Sequence, residues 1–159
     1  MRDMLLGQTL KPDYRLAFGL AVLAIAADQV TKAMAVRWFT PPLVVIPGWL
    51  DFRFTENTGA SFSSFTEFGT LIGFAVIGVA FVILRMMVQA ESGLERAALG
   101  IILGGATGNL IDRFARGYGV LDGAVVDWIN FRNFPTFNLA DSSVFIGAVI
   151  LLWSAYRKN

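Results

Sequence analysis

Four apolar segments divide this chain, and they predict four helices. They cover residues 16–27, 69–84, 97–111 and 142–156. None reaches the roughly 18 uncharged residues that mark a clear transmembrane helix. The second segment is nevertheless apolar around its whole circumference, with Thr70 as its only polar side chain, whereas a soluble amphipathic helix would keep a polar face. We therefore predict membrane-spanning helices with polar ends.

The predicted helices include the flanks of each apolar segment. They cover residues 15–36, 68–88, 94–113 and 138–157. Each is about long enough to cross a hydrocarbon core of ~30 Å. A compact soluble helical bundle is the alternative interpretation, and dependence on detergent for extraction would distinguish the two.

The first apolar segment also has features of a cleavable secretion signal. Basic residues precede it, and its apolar run ends at Ala26, as in a signal peptide. We favour a retained helix, because Asp28 and Lys32 follow directly and suit the outer end of a helix better than a new amino terminus.

Two segments between the helices are typical of strands. After a turn at Pro47-Gly48, apolar and polar residues alternate from Leu50 to Thr55, which is the period of a half-buried strand. Residues 124–131 are rich in β-prone residues and could pair with the first strand. The prediction is a membrane α-helical fold with four transmembrane helices and a small extracytoplasmic sheet, in a single domain over residues 1–159.

Composition agrees with a membrane protein and narrows the chemistry. The 159 residues are 55% hydrophobic and 16% charged, with a net charge of +1 and a mean hydropathy of +0.60. The near-zero charge gives no basic surface for nucleic acid. The chain has no Cys and no His, so thiol nucleophiles and the commonest metal ligand are absent. We expect carboxylates, hydroxyls, amides, Lys or Arg to carry the chemistry, without metal or cofactor.

The distribution of Lys and Arg predicts which side of the membrane each loop occupies. Four spans place both termini on one side, which carries seven of the 13 basic residues, against six on the other. Basic residues favour the cytoplasmic side. The termini are therefore expected in the cytoplasm, and residues 37–67 and 114–137 outside.

Asp127 and Asp141 are the best catalytic candidates. A carboxylate beside membrane-length apolar sequence is costly unless it is paired, hydrated or used. Asp141 follows Asn138, a predicted N-cap of the fourth helix, so a purely structural role at the helix end is an open alternative. Asp127, inside Val-Val-Asp-Trp-Ile, has no evident local role. Two neighbouring carboxyls would share one proton and provide an acid and a base for activating water, with Asp141 favoured as the ionised partner.

Other polar and small residues have both structural and functional interpretations. Asp28 and Lys32 are spaced for an ion pair within one helix. Residues 56–60 fit a plain turn or a substrate-binding loop. Small residues recur along the third helix with spacing that allows close helix packing: Gly100, Gly104, Gly105 and Gly108. At its end, Asn109, Asp112 and Arg113 would either orient the carboxylates or anchor the helix.

Five short blocks together resemble the lipoprotein signal peptidase family, also called signal peptidase II. They are Asp28-Gln-Val-Thr-Lys32, Asn57-Thr-Gly-Ala-Ser-Phe62, Gly108-Asn-Leu-Ile-Asp-Arg113, Val125-Val-Asp127 and Phe137-Asn-Leu-Ala-Asp141. Each block alone is weak, but all five occur in the family's order over residues 28–141. The combination is specific.

The resemblance implies an intramembrane aspartic protease of the bacterial inner membrane, with its active site near the outer face. Its partners would be membrane lipid and prolipoproteins carrying diacylglycerol on a cysteine, cleaved just before that residue; sensitivity to globomycin is also implied. By motif match Asp127 and Asp141 form the catalytic pair. The matching supporting positions are Asp28, Lys32, Asn57, Gly59, Gly108, Asn109, Arg113, Asn138 and Ala140.

Two features depart from the family pattern. Residues 114–124 are longer than the usual link before Val-Val-Asp, and they introduce Asp122 as a competitor for Asp127, although its Gly-rich setting predicts a turn. The aromatic residue after the first catalytic Asp is Trp128 instead of the usual Phe.

Two other functions fit some of the same residues. A Ser-Lys hydrolase would use Lys32 with Ser61, Ser63 or Ser64, but the neighbouring Asp28 would keep Lys32 charged. A small ion or proton transporter would use intramembrane acids as a relay, but these acids cluster at one surface.

Overall fold

The computed structural model describes residues 12–58 and 66–158, and it contains the four predicted helices. They are α1 Arg15–Trp38, α2 Thr66–Gln89, α3 Gly93–Ala115 and α4 Leu139–Tyr156. Three of them contain stretches long and apolar enough to cross a membrane: Arg15–Trp38, Gly69–Gln89 and Leu139–Tyr156. α3 is not among these candidate spans, because charged residues occupy both of its ends and glycines fill its middle.

Helix α3 is central in the bundle and contacts each of the other three helices. Its Gly100 and Gly104 lie against Ala17 and Ala21 of α1, and a Cβ atom added to Gly104 would come within 2.6 Å of the Ala21 carbonyl oxygen. Residue numbers increase in the same direction along both helices of this contact, so α1 and α3 are parallel. The predicted close packing of the α3 glycines is confirmed.

Helix α4 packs on another side of α3 and runs in the opposite direction. Gly105 of α3 lies against Ala140 at the start of α4, and Gly147 of α4 lies against Ala98 near the start of α3. α4 begins with a capping box, in which the Asn138 side chain accepts from the Asp141 backbone and the Asp141 side chain accepts from the Asn138 backbone. The predicted N-cap at Asn138 is confirmed, and its position fixes where the Asp141 carboxyl lies.

A three-stranded antiparallel sheet lies at the C-terminal end of α1. Its strands are β1 Leu43–Ile46, β2 Leu50–Asn57 and β3 Val125–Phe131, in the order β1-β2-β3. The pairing predicted between the second and third of these is confirmed, and Thr55 stands opposite Asp127. The sequence pattern did not predict β1, because its Leu-Val-Val-Ile run has no alternation and all four residues are exposed.

Aromatic side chains attach the sheet to α1. Trp128 packs edge-on against Phe52, with ring centroids 5.0 Å apart, and lies 5.9 Å from Phe39. Ala35 of α1 and Val126 complete this cluster and are fully buried. Aromatic pairs in such arrangements add to the stabilisation from burial itself. The inward face of β3 is therefore fixed, and Asp127 points from the opposite face.

The long connection between α3 and β3 is anchored to α2. Leu121 has a left-handed backbone conformation (φ 58°) and is buried, and it lies directly over Gly73. The Gly123 amide donates to the Arg113 carbonyl at 3.0 Å. This connection thus contacts the N-terminal part of α2 before it reaches the start of β3.

The contact between Leu121 and Gly73 predicts a sharp difference between two glycines of α2. A Cβ atom at Gly73 would meet the Leu121 Cβ at 2.5 Å, whereas one at Gly78 would meet nothing within 4 Å. Gly73→Ala should lower stability by about 1–3 kcal/mol through overpacking. Gly78→Ala should be neutral or slightly stabilising, since Ala favours helix by about 1 kcal/mol over Gly.

Thermal unfolding of both variants in the same detergent checks this expectation. Equal midpoints for Gly73→Ala and Gly78→Ala would show that the connection is not held against α2.

Candidate active site

Asp127 lies on β3 and is held by two asparagine amides. Asn138 Nδ2 donates to Asp127 Oδ1 at 2.6 Å, and Asn57 Nδ2, from the end of β2, donates to Asp127 Oδ2 at 2.9 Å. The residue is 2% exposed. Both carboxyl oxygens therefore have a fixed direction, which a surface carboxylate would not have.

Asp141 lies in the first turn of α4, where backbone donors converge. The Asn138 amide N donates to Asp141 Oδ2 at 3.3 Å, and Asn109 Nδ2, from α3, donates to Asp141 Oδ1 at 2.8 Å. The start of a helix also favours negative charge. The Asp141 carboxyl is thus held by two amide donors from different elements.

Asn138 connects the two carboxyl groups directly. Its side-chain amide donates to Asp127 while its backbone N–H donates to Asp141. An isolated bridge between Ile129 and Phe137 holds the preceding segment against β3, so strand and helix start are kept adjacent. Asn138 thus contacts both predicted catalytic candidates, although Asp127 and Asp141 are 14 positions apart in the sequence.

Burial raises the pKa of Asp127 to about 6, from the ordinary value of 3.8. The negative charge of Asp141 adds to this rise, whereas the hydrogen bonds from Asn57 and Asn138 and the charge of Lys32 oppose it. Desolvation is the largest cause, because the charged form loses water on being buried. The raised pKa favours the protonated form of Asp127.

A buried ionic cluster lies directly behind the two candidates. Lys32 Nζ contacts Asp28 Oδ2 at 2.7 Å, Asp112 Oδ2 at 2.8 Å and Asn109 Oδ1 at 2.8 Å. Lys32 and both acids are at most 1% exposed. The predicted ion pair between Asp28 and Lys32 is confirmed, and Lys32 also forms an ion pair with Asp112.

The two acids of this cluster each fasten a different element of the site. Asp28 Oδ1 accepts from the Ala140 amide at 2.9 Å, beside Asp141. Asp112 Oδ2 accepts from the Val126 amide at 3.1 Å, beside Asp127. Of the two interpretations considered for Asp112, orientation of the site fits this contact, yet it was not among the predicted supporting residues. Its position one turn after Asn109 was the signal that could have found it.

The other predicted positions that the structure describes lie around this cluster. Gly108 lies against Asp28, where an added Cβ would come within 2.6 Å of Oδ2. Arg113 is buried, and its Nη1 has no hydrogen-bond partner among the described residues. Gly59 lies outside the described residues, as do Ser61, Ser63 and Ser64.

Asp122, the predicted competitor of Asp127, lies in the irregular connection between α3 and β3. Both of its carboxyl oxygens accept from the Gly119 amide at 3.0 Å. Bends at residues 118–121 precede Asp122, in the Gly-rich segment predicted to form a turn.

A cleft of about 270 Å³ opens beside Asp127. Its lining is partly polar and comes from β2 and from the segment before α4: Thr55, Glu56, Asn57, Thr58, Asp127, Pro135 and Thr136. Asp127 therefore forms part of the wall of this cleft.

Comparison with known proteins agrees with the family resemblance. A family model described as signal peptidase (SPase) II matches residues 20–157. The chain belongs to the signal peptidase II family. The lipoprotein signal peptidase of Trichormus variabilis is 38% identical over 151 residues, covering 91% of this chain and 92% of that protein. That of Mycolicibacterium smegmatis is 40% identical over 140 residues, and the match covers 87% of this chain and 60% of the relative.

Solved structures share the fold. One bacterial membrane enzyme superimposes with a TM-score of 0.74 at 27% identity, covering 90% of this chain and 94% of the other. A second gives a TM-score of 0.71 at 27% identity, covering 89% and 87%. The signal peptidase II family is therefore supported by both sequence and fold, and membership makes the chain a protease of a membrane enzyme family.

Proposed function

We propose that this protein is an aspartic endopeptidase that removes the signal peptide from diacylglyceryl-modified prolipoproteins, cleaving just before the lipidated cysteine. Membership of the signal peptidase II family supports the substrate class. The observation that carries the aspartic mechanism is the bridging of Asp127 and Asp141 by Asn138. We refer to these two aspartates as the dyad.

In the proposed reaction the ionised Asp141 takes a proton from water as the water oxygen attacks the scissile carbonyl carbon. Protonated Asp127 donates a hydrogen bond to the carbonyl oxygen and then gives a proton to the leaving amine. The C–N bond breaks, leaving a carboxylate on the signal peptide and an amine on the lipidated cysteine. The burial of Asp127 and the helix-start position of Asp141 support this division of roles.

We place the protein in the bacterial inner membrane with four spans, including α3. α3 runs beside α1 in the same direction and is covered by the other helices, so it need not be apolar enough to face lipid on every side. The termini then lie in the cytoplasm and the sheet outside. The whole chain would act as one membrane peptidase domain.

The cleft beside Asp127 would receive the substrate backbone next to the scissile bond. Its sheet-side opening suits the portion of the precursor that lies outside the membrane, while the signal peptide stays in lipid. Globomycin, a cyclic peptide, would inhibit by occupying the same place beside the dyad.

The raised pKa of Asp127 predicts the pH dependence of cleavage. The acid role requires a protonated Asp127, so kcat/KM should fall as pH rises through about 6, approaching tenfold for each further pH unit. At low pH, protonation of the second carboxyl should remove the base. The profile should be bell-shaped, with both apparent pKa values belonging to the coupled pair.

Measurement of kcat/KM on a lipidated precursor between about pH 4 and pH 9 checks this profile. A flat profile across that range would contradict a dyad that shares one proton.

The substrate class is tested by comparing one precursor with and without its diacylglyceryl group. The purified protein should cleave only the lipidated form, and liposomes containing it should show no ion flux. Equal cleavage of both forms would reject the lipid requirement, whereas a proton or ion current would favour the transporter.

The Ser-Lys alternative is disfavoured by the surroundings of Lys32. Its ammonium donates to two buried carboxylates and an amide oxygen, so all three of its donors are engaged. A general base needs a neutral amine.

A further inference from the structure

One contact of Lys32 links the buried ionic cluster to the dyad. Two of its donors neutralise Asp28 and Asp112, but the third goes to an uncharged group, Asn109 Oδ1, at 2.8 Å. A fully buried ammonium group needs an acceptor for each of its three donors, and here the third acceptor belongs to a residue that also contacts Asp141. The third contact therefore leads from the buried cluster towards the dyad.

The ammonium group decides which way the Asn109 amide points. Lysine donates hydrogen bonds and cannot accept them, so only the amide oxygen can face Lys32. Asn138 Nδ2 also donates to that oxygen at 3.2 Å. With its oxygen held by two donors, Asn109 must direct its NH₂ group away from Lys32, where it meets Asp141 Oδ1 at 2.8 Å.

We infer that Lys32 is a positioning residue for catalysis: by locking the Asn109 amide it keeps a hydrogen-bond donor on Asp141, which leaves the shared proton of the dyad on Asp127. This inference rests on the proposed aspartic mechanism and adds the device that assigns its proton. Lys32 does not touch the reacting atoms. Its charge alone lowers the pKa of Asp127 and so opposes a proton there. The positioning effect therefore runs through the Asn109 amide.

Hydrogen bonds from amides alone do not distinguish the two aspartates. Asp127 accepts from Asn57 and Asn138, as Asp141 accepts from Asn109 and the Asn138 backbone. The difference lies in the surroundings. Asp127 is buried on a strand, whereas Asp141 lies in the first turn of a helix and is less buried, where a negative charge is favoured. Asn109 therefore donates to the aspartate whose position at the helix start already favours a negative charge, Asp141.

Asn109→Asp tests the direction of the amide by changing a single group from NH₂ to oxygen. The contacts to Lys32 and Asn138 are retained, so the fold should persist, but the donor to Asp141 becomes a second carboxylate oxygen. At about pH 7.5, kcat/KM should fall by about tenfold or more. The introduced carboxylate and the Asp141 carboxylate repel each other when both are ionised. At lower pH the introduced carboxyl group can take up a proton and donate again, so the pH optimum should move down by about one unit or more.

Asn130→Asp is the matched control. Asn130 Nδ2 also donates to a carboxylate, Asp51 Oδ2, at 2.9 Å, but it lies at the far end of β3. Its pH profile should match that of the wild-type protein. An unchanged profile for Asn109→Asp, or an equal loss at every pH in folded protein, would overturn the inference. Absence of cleavage by the wild-type protein would reject the proposed function itself, so the two failures are distinguishable.

A double-mutant cycle tests the part of Lys32. Asn109→Ala removes the donor and leaves Lys32 with its two acids, and Lys32→Met removes the ammonium group. If Lys32 acts through Asn109, Lys32→Met should reduce kcat/KM far less in the Asn109→Ala background than in the wild-type protein. Equal fold losses in both backgrounds, with thermal unfolding confirming folded protein, would show that Lys32 acts by another route.

Discussion

Asp127→Asn and Asp141→Asn, each made alone, are expected to lower kcat/KM on a lipidated precursor by about 10²–10⁴-fold. Each change removes either the proton donor or the proton acceptor of the proposed reaction. Asparagine retains the shape of the side chain and at least one of its hydrogen-bonding atoms, so folded protein should remain. Cleavage assayed by the mass of the released product, with thermal unfolding in parallel, measures both effects.

Asp122→Asn is the appropriate control for this pair. It removes one negative charge from the connection before β3, where the Asp122 carboxyl accepts from the nearby Gly119 amide. Its activity should stay within about twofold of wild type, as is usual for surface changes. Normal turnover by either dyad variant, or inactivation by Asp122→Asn, would refute the assignment of catalytic roles.

Asp112→Ala should have the largest effect on stability, lowering the free energy of unfolding by about 3–5 kcal/mol. The change leaves Lys32 with one fewer buried carboxylate and leaves the Val126 amide without its acceptor. Breaking one side of a buried ionic cluster is costly because the remaining polar groups cannot reach water. β3 should also loosen from α3, so activity should fall together with the unfolding midpoint.

Asp51→Ala provides the comparison for that change. Asp51 also forms an ion pair, with Arg53 at 2.6 Å, but both side chains are partly exposed. The adjacent Arg53 holds the pKa of Asp51 below its usual value, and exposed pairs contribute only about 0.2–1 kcal/mol. Chemical or thermal unfolding of both variants in one detergent decides the matter. Similar losses for Asp112→Ala and Asp51→Ala would mean that the buried cluster does not hold the site.

The helices were predictable because they depend on local sequence. Apolar segments of near-spanning length located all four, and the N-cap at Asn138 followed from the type and position of a single residue. The β2 and β3 strands followed from alternation and β-prone composition. β1 was missed because four consecutive apolar residues carry no period, and its place at the sheet edge depends on pairing with β2.

The candidate site was predictable in membership but not in arrangement. Motif blocks selected Asp127, Asp141 and the supporting positions as candidates, yet nothing local could show that Asn138 joins both acids. Asp112 was left between two interpretations for the same reason. Its partners Lys32 and Val126 come from other elements, and only packing of α1, α3 and β3 brings them within hydrogen-bond distance.

The sequence by itself determined the helices, two strands, the family and the chemical groups, since each depends on residue type and spacing along the chain. The tertiary structure decided which oxygen accepts from which donor. That information lies in contacts between distant segments, such as Asn109 with Asp141 and Asp28 with the Ala140 amide. The direction of an amide and the burial of a carboxyl exist only once several elements enclose them, and these properties set where a proton resides.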